Sequence, residues 1–206
     1  MAKLLKNQGL KAIQPQSYKP RTTNSAHTLG YSPNLLQRSA PPAQLHRVWV
    51  ADITYIPLKE SAFAYLALVL DLCSRRVVGW SLVEQMTETL VLDALQHAIR
   101  DRQPPPGLVH HSDRGSQYAS RAYRAILRRA DIRQSMSRAA NCYDNAFMES
   151  CFGTIKTELE MTEYHNSRLA RQDIASYLAY YNHHRRHSSL NYLSPADFED
   201  QLNPPI

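Results

Sequence analysis

The ten residues FAYLALVLDL, 63–72, limit what this chain can fold into more than any other stretch. They are apolar at odd and even positions alike and too short to cross a bilayer. As a strand they must therefore lie inside a sheet covered on both faces. The run before them, VWVADITYIPL at 48–58, is rich in β-branched and aromatic residues, and only KESA separates the two, which predicts a hairpin. After a turn around Ser74, RRVVGWSL adds a third strand.

Downstream the hydrophobic period changes to that of helices. Leu90, Val91, Ala94, Leu95, Ala98 and Ile99 share one face of a helix that Thr87 caps and that Pro104 to Gly107 ends. GLVHHSD is a short fourth strand. Ser120 caps a helix that buries Tyr123, Ile126, Leu127 and Ala130, and DIRQSM is a brief fifth strand. A helix then begins near Asp144, and another runs from a Ser167 cap to about His187, with Ile174, Tyr177, Leu178 and Tyr181 inward. Ser194 and Pro195 start a last short helix. Trp49, Trp80 and the tyrosines of the late helix read as core. The expected fold is a mixed five-stranded α/β sheet with helices on both faces.

Residues 13–46 hold Pro15, Pro20, Pro33, Pro41 and Pro42 without periodicity, which reads as an extended arm. The expected organisation is an arm over 1–44, a core over 45–165 and a C-terminal helical extension over 166–206. With 206 residues, 43% of them hydrophobic, a full core can form. No apolar stretch is long enough to span a bilayer and MAKLLKNQGLKA lacks a secretory segment, so the expectation is a soluble, cytoplasmic protein with no membrane partner. Cys73, Cys142 and Cys151 form no CxxC pair and read as reduced thiols. The net charge of +6 suits a polyanion, and six arginines crowd residues 121–138 against the single acid Asp131. Arg121, Arg124 and Arg128 then form either a solvated face or a phosphate track whose binding weakens with salt.

Three carboxylates interrupt structure rather than decorate it: Asp52 within the first strand, Asp113 at the end of the fourth, and Glu149 early in the helix that carries Phe147, Met148 and Phe152. Singly, each has an ordinary reading: a solvent-facing edge residue, a turn residue before Gly115, or an acid favoured by a helix N-terminus. Together they make an all-oxygen donor set suited to hard divalent cations, whose charge offsets the mutual repulsion of three bare carboxylates. Two such ions about 4 Å apart serve both sides of a phosphodiester. Lys156, two turns after Glu149 and on nearly the same face, is either a solvated lysine or a phosphate contact.

WVADITYI, HSDRGSQY, CYDNAFMESCFGTIKTEL and YYNHHRRHSSLNYLSPADF resemble the second-reading-frame (OrfB) transposases of bacterial insertion sequences, with a retroviral-integrase-like (DDE) catalytic core. Thirty-five residues separate Asp113 from Glu149, as in that family's D, D, thirty-five, E pattern. The resemblance implies a ribonuclease-H-like fold and Asp52, Asp113 and Glu149 as catalytic, metal-binding residues. It also implies Mg2+, replaceable by Mn2+, as two ions per site, with Lys156 on transposon-end DNA. Implied partners are transposon-end and target DNA, further copies of the chain assembled on it, and an upstream-frame product, in a bacterial cytoplasm near the nucleoid. The implied reaction is strand cleavage and transfer. The alternative is a shortened DNA-binding remnant that interferes with an intact transposase, since residues 1–12 resemble only the end of the family's helix-turn-helix-like segment.

Other positions carry weaker expectations. Asp71 reads as structural at the second hairpin turn. Asp144 reads as an N-cap and Asn145 as a local or DNA-facing group. HHRRH sets His183 and His187 at i, i+4, a spacing that fits zinc, but with no Cys or Glu at matching spacing nearby the stretch, with Arg185 and Arg186, reads as a basic patch beside DNA or a packed surface. Cys151 stands where the family often has an aromatic residue.

Overall fold

The computed structural model describes residues 27–36, 42–137, 146–159 and 163–202. The two β-rich runs pair as an antiparallel hairpin, β1 (Val48–Pro57) and β2 (Phe63–Asp71), with Trp49 opposite Asp71 and Pro57 opposite Phe63. β3 (Val77–Val83) extends it antiparallel to β2. α1 (Glu88–Arg102) crosses over to β4 (Val109–Ser112), parallel to β1. The short α2 (Ser116–Ala119) and α3 (Arg121–Arg129) lead to β5 (Arg133–Met136), parallel to β4. The five strands lie in the order β3-β2-β1-β4-β5. Then follow α4 (Ala146–Glu158), α5 (Ser167–His183), a 3-10 turn at Ser188–Leu190 and α6 (Pro195–Leu202).

Strand alternation divides the interior into two cores. Val48, Val50 and Ile56 of β1 join Leu66, Leu68 and Leu70 of β2 under α4 and α5, which supply Met148, Phe152, Ile155, Ile174 and Leu178. Trp49, Ala51 and Ile53 join Ala67 and Val69 under α1 and α3, which supply Leu90, Leu95, Tyr123 and Leu127. The doubly apolar run of β2 thus feeds both layers. Each fully buried leucine contributes roughly 1.5–3 kcal/mol, so burying both faces anchors β2 in the interior of the sheet, between β3 and β1. The α1 layer comes very close to β3: a Cβ on Gly79 would stand 2.2 Å from the Ala94 carbonyl oxygen.

Asp71 is structural, as the turn position suggests. It is fully buried, and its carboxylate accepts from the His46, Cys73 and Ser74 amides and from Trp49 Nε1. Burial alone would push this carboxyl up, but the hydrogen bonds from His46, Ser74 and Cys73 hold it below its ordinary value.

Several local expectations are corrected. Asn166, not Ser167, caps α5, its side chain accepting from Leu169 N at 3.1 Å. That helix ends at His183, because the His184 and Arg185 amides both turn back to the Tyr180 carbonyl. His183 and His187 therefore do not share a helical face. Tyr180 is 48% exposed and Trp80 only partly buried, whereas Tyr177 and Tyr181 lie in the core. Thr87 precedes α1 without a capping side-chain bond, while Ser120 accepts from Tyr123 N as expected. Cys73 and Cys151 are free and buried. Asp144, Asn145 and Cys142 lie outside the described residues. No helix among the described residues is long and apolar enough to cross a membrane.

Part of the arm packs on the core. The Ser32 hydroxyl donates to Gln134 Oε1 at 2.8 Å, Leu35 N donates to Ser135 Oγ at 2.9 Å, and the Met136 amide reaches the Pro33 carbonyl. These bonds cover the outer edge of β5, which would otherwise offer unpaired backbone groups.

β4 carries a buried histidine that composition does not reveal. His110 is fully buried, its Nε2 paired with the Tyr123 hydroxyl at 3.0 Å. Burial, and then the charge of His111, pull it from 6.5 to about 3. The fold favours its neutral form, so its contribution is complete above pH 6.5 and shrinks as pH falls toward 3. Denaturant titrations from pH 7 downward should show stability falling by about 1.4 kcal/mol per pH unit in this window. Substituting His110→Gln should remove that slope; an unchanged slope would refute the assignment.

Candidate active site

β1 and β4 pair only from Val48–Val109 to Val50–His111. Continued by two residues, that register sets Asp52 level with Asp113, just where the paired region ends. Neighbouring strands lie about 4.8 Å apart, so the two carboxylates stand on adjacent strands just past the end of β4, the side on which open α/β sheets usually bind ligands. Both take the parity of Val50, on the face that α4 covers. Asp52 accepts from the Ile53 amide at 2.8 Å and Asp113 from the Gly115 amide at 2.8 Å. A Cβ on Gly115 would come within 3.0 Å of Asp113 Oδ1, so the missing side chain leaves room for that carboxylate.

Tyr118 adds independent support. Its hydroxyl is buried and finds no hydrogen-bond partner among the described residues. Burial, then the charges of Tyr123, Asp52 and Asp113, hold its phenol well above the ordinary value. One buried phenol thus senses both aspartates. Neither Gly115 nor Tyr118 was singled out in the sequence; their signal is position, two and five residues after the strand-ending Asp113.

Glu149 lies in the first turn of α4 and is exposed. Among the described residues, no three His, Cys, Asp or Glu side chains form a metal-holding group. The β1–β4 register thus aligns Asp52 with Asp113, and among the described residues Glu149 does not complete a metal-holding group with them. Lys156, on the same helix, places its ammonium 4.4 Å from the Tyr55 ring centre, so α4 is tied to the stretch of β1 that β4 leaves unpaired.

The basic residues divide. Arg121 and Arg128 are exposed, whereas Arg124 donates to the Gly30 carbonyl at 2.7 Å and so holds the arm. Arg185 pairs with Glu158 at 2.8 Å, and Arg186 is exposed. Arg114 is partly buried, its Nε donating to the Ser137 carbonyl at 2.7 Å.

The donor set fits a hard divalent cation: two carboxylates on adjacent strands, with a glycine leaving room beside Asp113. The integrase core domain family matches residues 42–142, and a second integrase core family matches residues 130–195. Transposase InsF for insertion sequence IS3A of Escherichia coli is 41% identical over 98% of this chain and 70% of its own length. This chain belongs to the insertion-sequence transposases with an integrase core domain.

Two further relatives of these transposases are the transposase for insertion sequence element IS904 of Lactococcus lactis, 41% identical over 97% of this chain and 79% of its own length, and the insertion element IS600 31 kDa protein of Shigella sonnei, 42% identical over 98% and 75%. The fold matches integrases: the simian T-cell lymphotropic virus intasome, in complex with a PP2A regulatory subunit, gives a TM-score of 0.68 at 18% identity, covering 90% of this chain and 64% of that one. The HTLV-2 integrase catalytic core, in complex with magnesium, gives 0.59 at 18% identity, covering 74% and 95%. The mixed sheet is thus the ribonuclease-H-like one, as the resemblance implied.

Proposed function

We propose that this transposase cleaves and joins DNA strands at insertion-sequence ends, with Asp52, Asp113 and Glu149 as its catalytic carboxylates. The observation that carries the proposal is the β1–β4 register, which continued two residues past Val50–His111 aligns Asp52 with Asp113; the charges of both act on the buried Tyr118 phenol. Spacing along α4 supports Glu149 as the third member. From Lys156 back to Glu149 the helix rises about 10.5 Å, roughly the length of three strand residues, which is the separation of Tyr55 from Asp52. That match sets Glu149 at the level of Asp52 along β1.

The three carboxylates would hold Mg2+ or Mn2+, two ions per site, which when bound activate the attacking hydroxyl and offset charge on the phosphate. The chain's own residues do the rest. Asp52 and Asp113 are fixed by the Ile53 and Gly115 amides, so they meet the ions already oriented. Lys156 serves as a phosphate cation on the same helix as Glu149, and Asn145 and the exposed Arg121 and Arg128 extend the contact to the DNA.

The test uses the full chain with Mg2+ and a labelled duplex carrying the element's own terminus. A single-strand nick at the boundary is expected. Intact duplex in both Mg2+ and Mn2+ would overturn the reading.

A further inference from the structure

On the side of α4 turned away from Glu149, a cleft of about 480 Å³ opens between that helix, the β2–β3 turn and the residues after α5. Phe147 and Thr154 line it, lying roughly 140–160° around the helix from Glu149. The cleft is therefore separate from the carboxylates.

Arg75 occupies its floor because of the turn. The Arg75 amide donates to the Asp71 carbonyl and the Asp71 amide to the Arg76 carbonyl, each at 2.9 Å, while the Asp71 carboxylate takes the Cys73 and Ser74 amides. This closure holds Arg75 at φ +61°, a left-handed conformation that asparagine and glycine adopt more readily. Its guanidinium lies over the Phe147 ring at 4.1 Å, and Nη1 is buried with no hydrogen-bond partner among the described residues. No ion pair among the described residues involves Arg75. Arg185, by contrast, is matched by Glu158.

The surroundings are electropositive. Burial, then the charges of Arg185 and Arg75, lower His187 to about 4, so it stays neutral near pH 7. Arg186, Ser189 and the 68% exposed Tyr192 form the rim. The Asp71 carboxylate acts on Arg75 only at a distance and forms no ion pair with it, so the desolvated guanidinium is costly and is relieved by an incoming anion. Hydroxyls around a planar guanidinium suit phosphate oxygens, and an exposed aromatic edge suits a nucleic acid better than an acidic peptide.

We propose that this cleft is a second DNA-contact site, binding a backbone phosphodiester through Arg75. The inference rests on the DNA-processing reading above. It is tested by binding of the full chain to a labelled duplex across a salt titration. Arg75→Asn removes the cation at a position whose backbone favours asparagine, and Ser189→Glu adds a negative charge at the rim without touching the turn. Arg75→Asn is expected to lower the salt slope by about 0.9 and the affinity about eightfold at 0.1 M salt; Ser189→Glu should weaken binding likewise. If wild type binds DNA and both variants match it in affinity and slope, the cleft assignment fails while the functional reading stands. If wild type binds no duplex at any salt, the functional reading itself fails. Variants that keep DNA binding but lose polyglutamate binding would assign the cleft to an acidic peptide and overturn the proposal.

Discussion

Asparagine at Asp52 or Asp113 is expected to lower strand cleavage by about a thousandfold or more, some 4 kcal/mol of transition-state stabilisation. Each substitution keeps the side-chain shape and removes one anionic oxygen from the pair. Folding should barely change. Neither carboxylate lies in the apolar cores, and an asparagine oxygen at 113 can still accept from the Gly115 amide. Removing one of two adjacent negative charges should leave metal-free stability within about 0.5 kcal/mol of wild type. A second readout separates binding from chemistry: Mg2+ should raise the melting temperature of wild type, by preferential binding to the folded state, and do so less for either variant. Glu149→Gln should show the same loss of cleavage. Nicking retained at wild-type rate by all three variants would end the carboxylate assignment.

The second large effect concerns stability. Glu199 on α6 is buried, and it accepts from Arg76 Nη1 at 2.7 Å, Arg102 Nη2 at 2.6 Å and the Ser74 hydroxyl at 2.8 Å. One carboxylate thus ties the C-terminal helix to the β2–β3 turn and to the end of α1. Removing it leaves two guanidiniums facing each other, each still about one-fifth exposed. Breaking a buried pair costs about 3–5 kcal/mol, and partial solvation of both arginines brings Glu199→Ala to about 3 kcal/mol. For a chain of this size that is a drop of roughly 6–12 °C in melting temperature. Glu199→Gln, which keeps two acceptor lone pairs, should lose about half as much. A scanning calorimetry trace for Glu199→Ala that overlays wild type would rule out the clasp.

The strands were legible because their signal is local. FAYLALVLDL is apolar on both faces wherever it sits, and its place inside a covered sheet follows from that alone. Asp52 and Asp113 were legible for a related reason: a carboxylate inside or just ending an apolar strand is conspicuous in one dimension. Tyr118 and Glu199 were not. Tyr118 reads as one more aromatic residue after a turn, and Glu199 reads as a solvent-facing acid in a short polar helix, until Arg76 and Arg102 arrive from distant elements to bury it. The reading of His183 and His187 as helical neighbours failed because the Tyr180 carbonyl captures two successive amides and ends α5, a competition between backbone bonds that side-chain spacing does not record.

By itself, the sequence determined the sheet-forming runs, the two-sided core and the chemical nature of the donor groups, since these follow from side-chain polarity at short range. Only the tertiary structure decided the β1–β4 register that aligns Asp52 with Asp113, that Glu199 is enclosed and that Arg75 lies over Phe147 without an ion-pair partner. Those facts depend on strand register and on contacts between segments far apart in the chain, and local hydrophobic patterning carries no information about either.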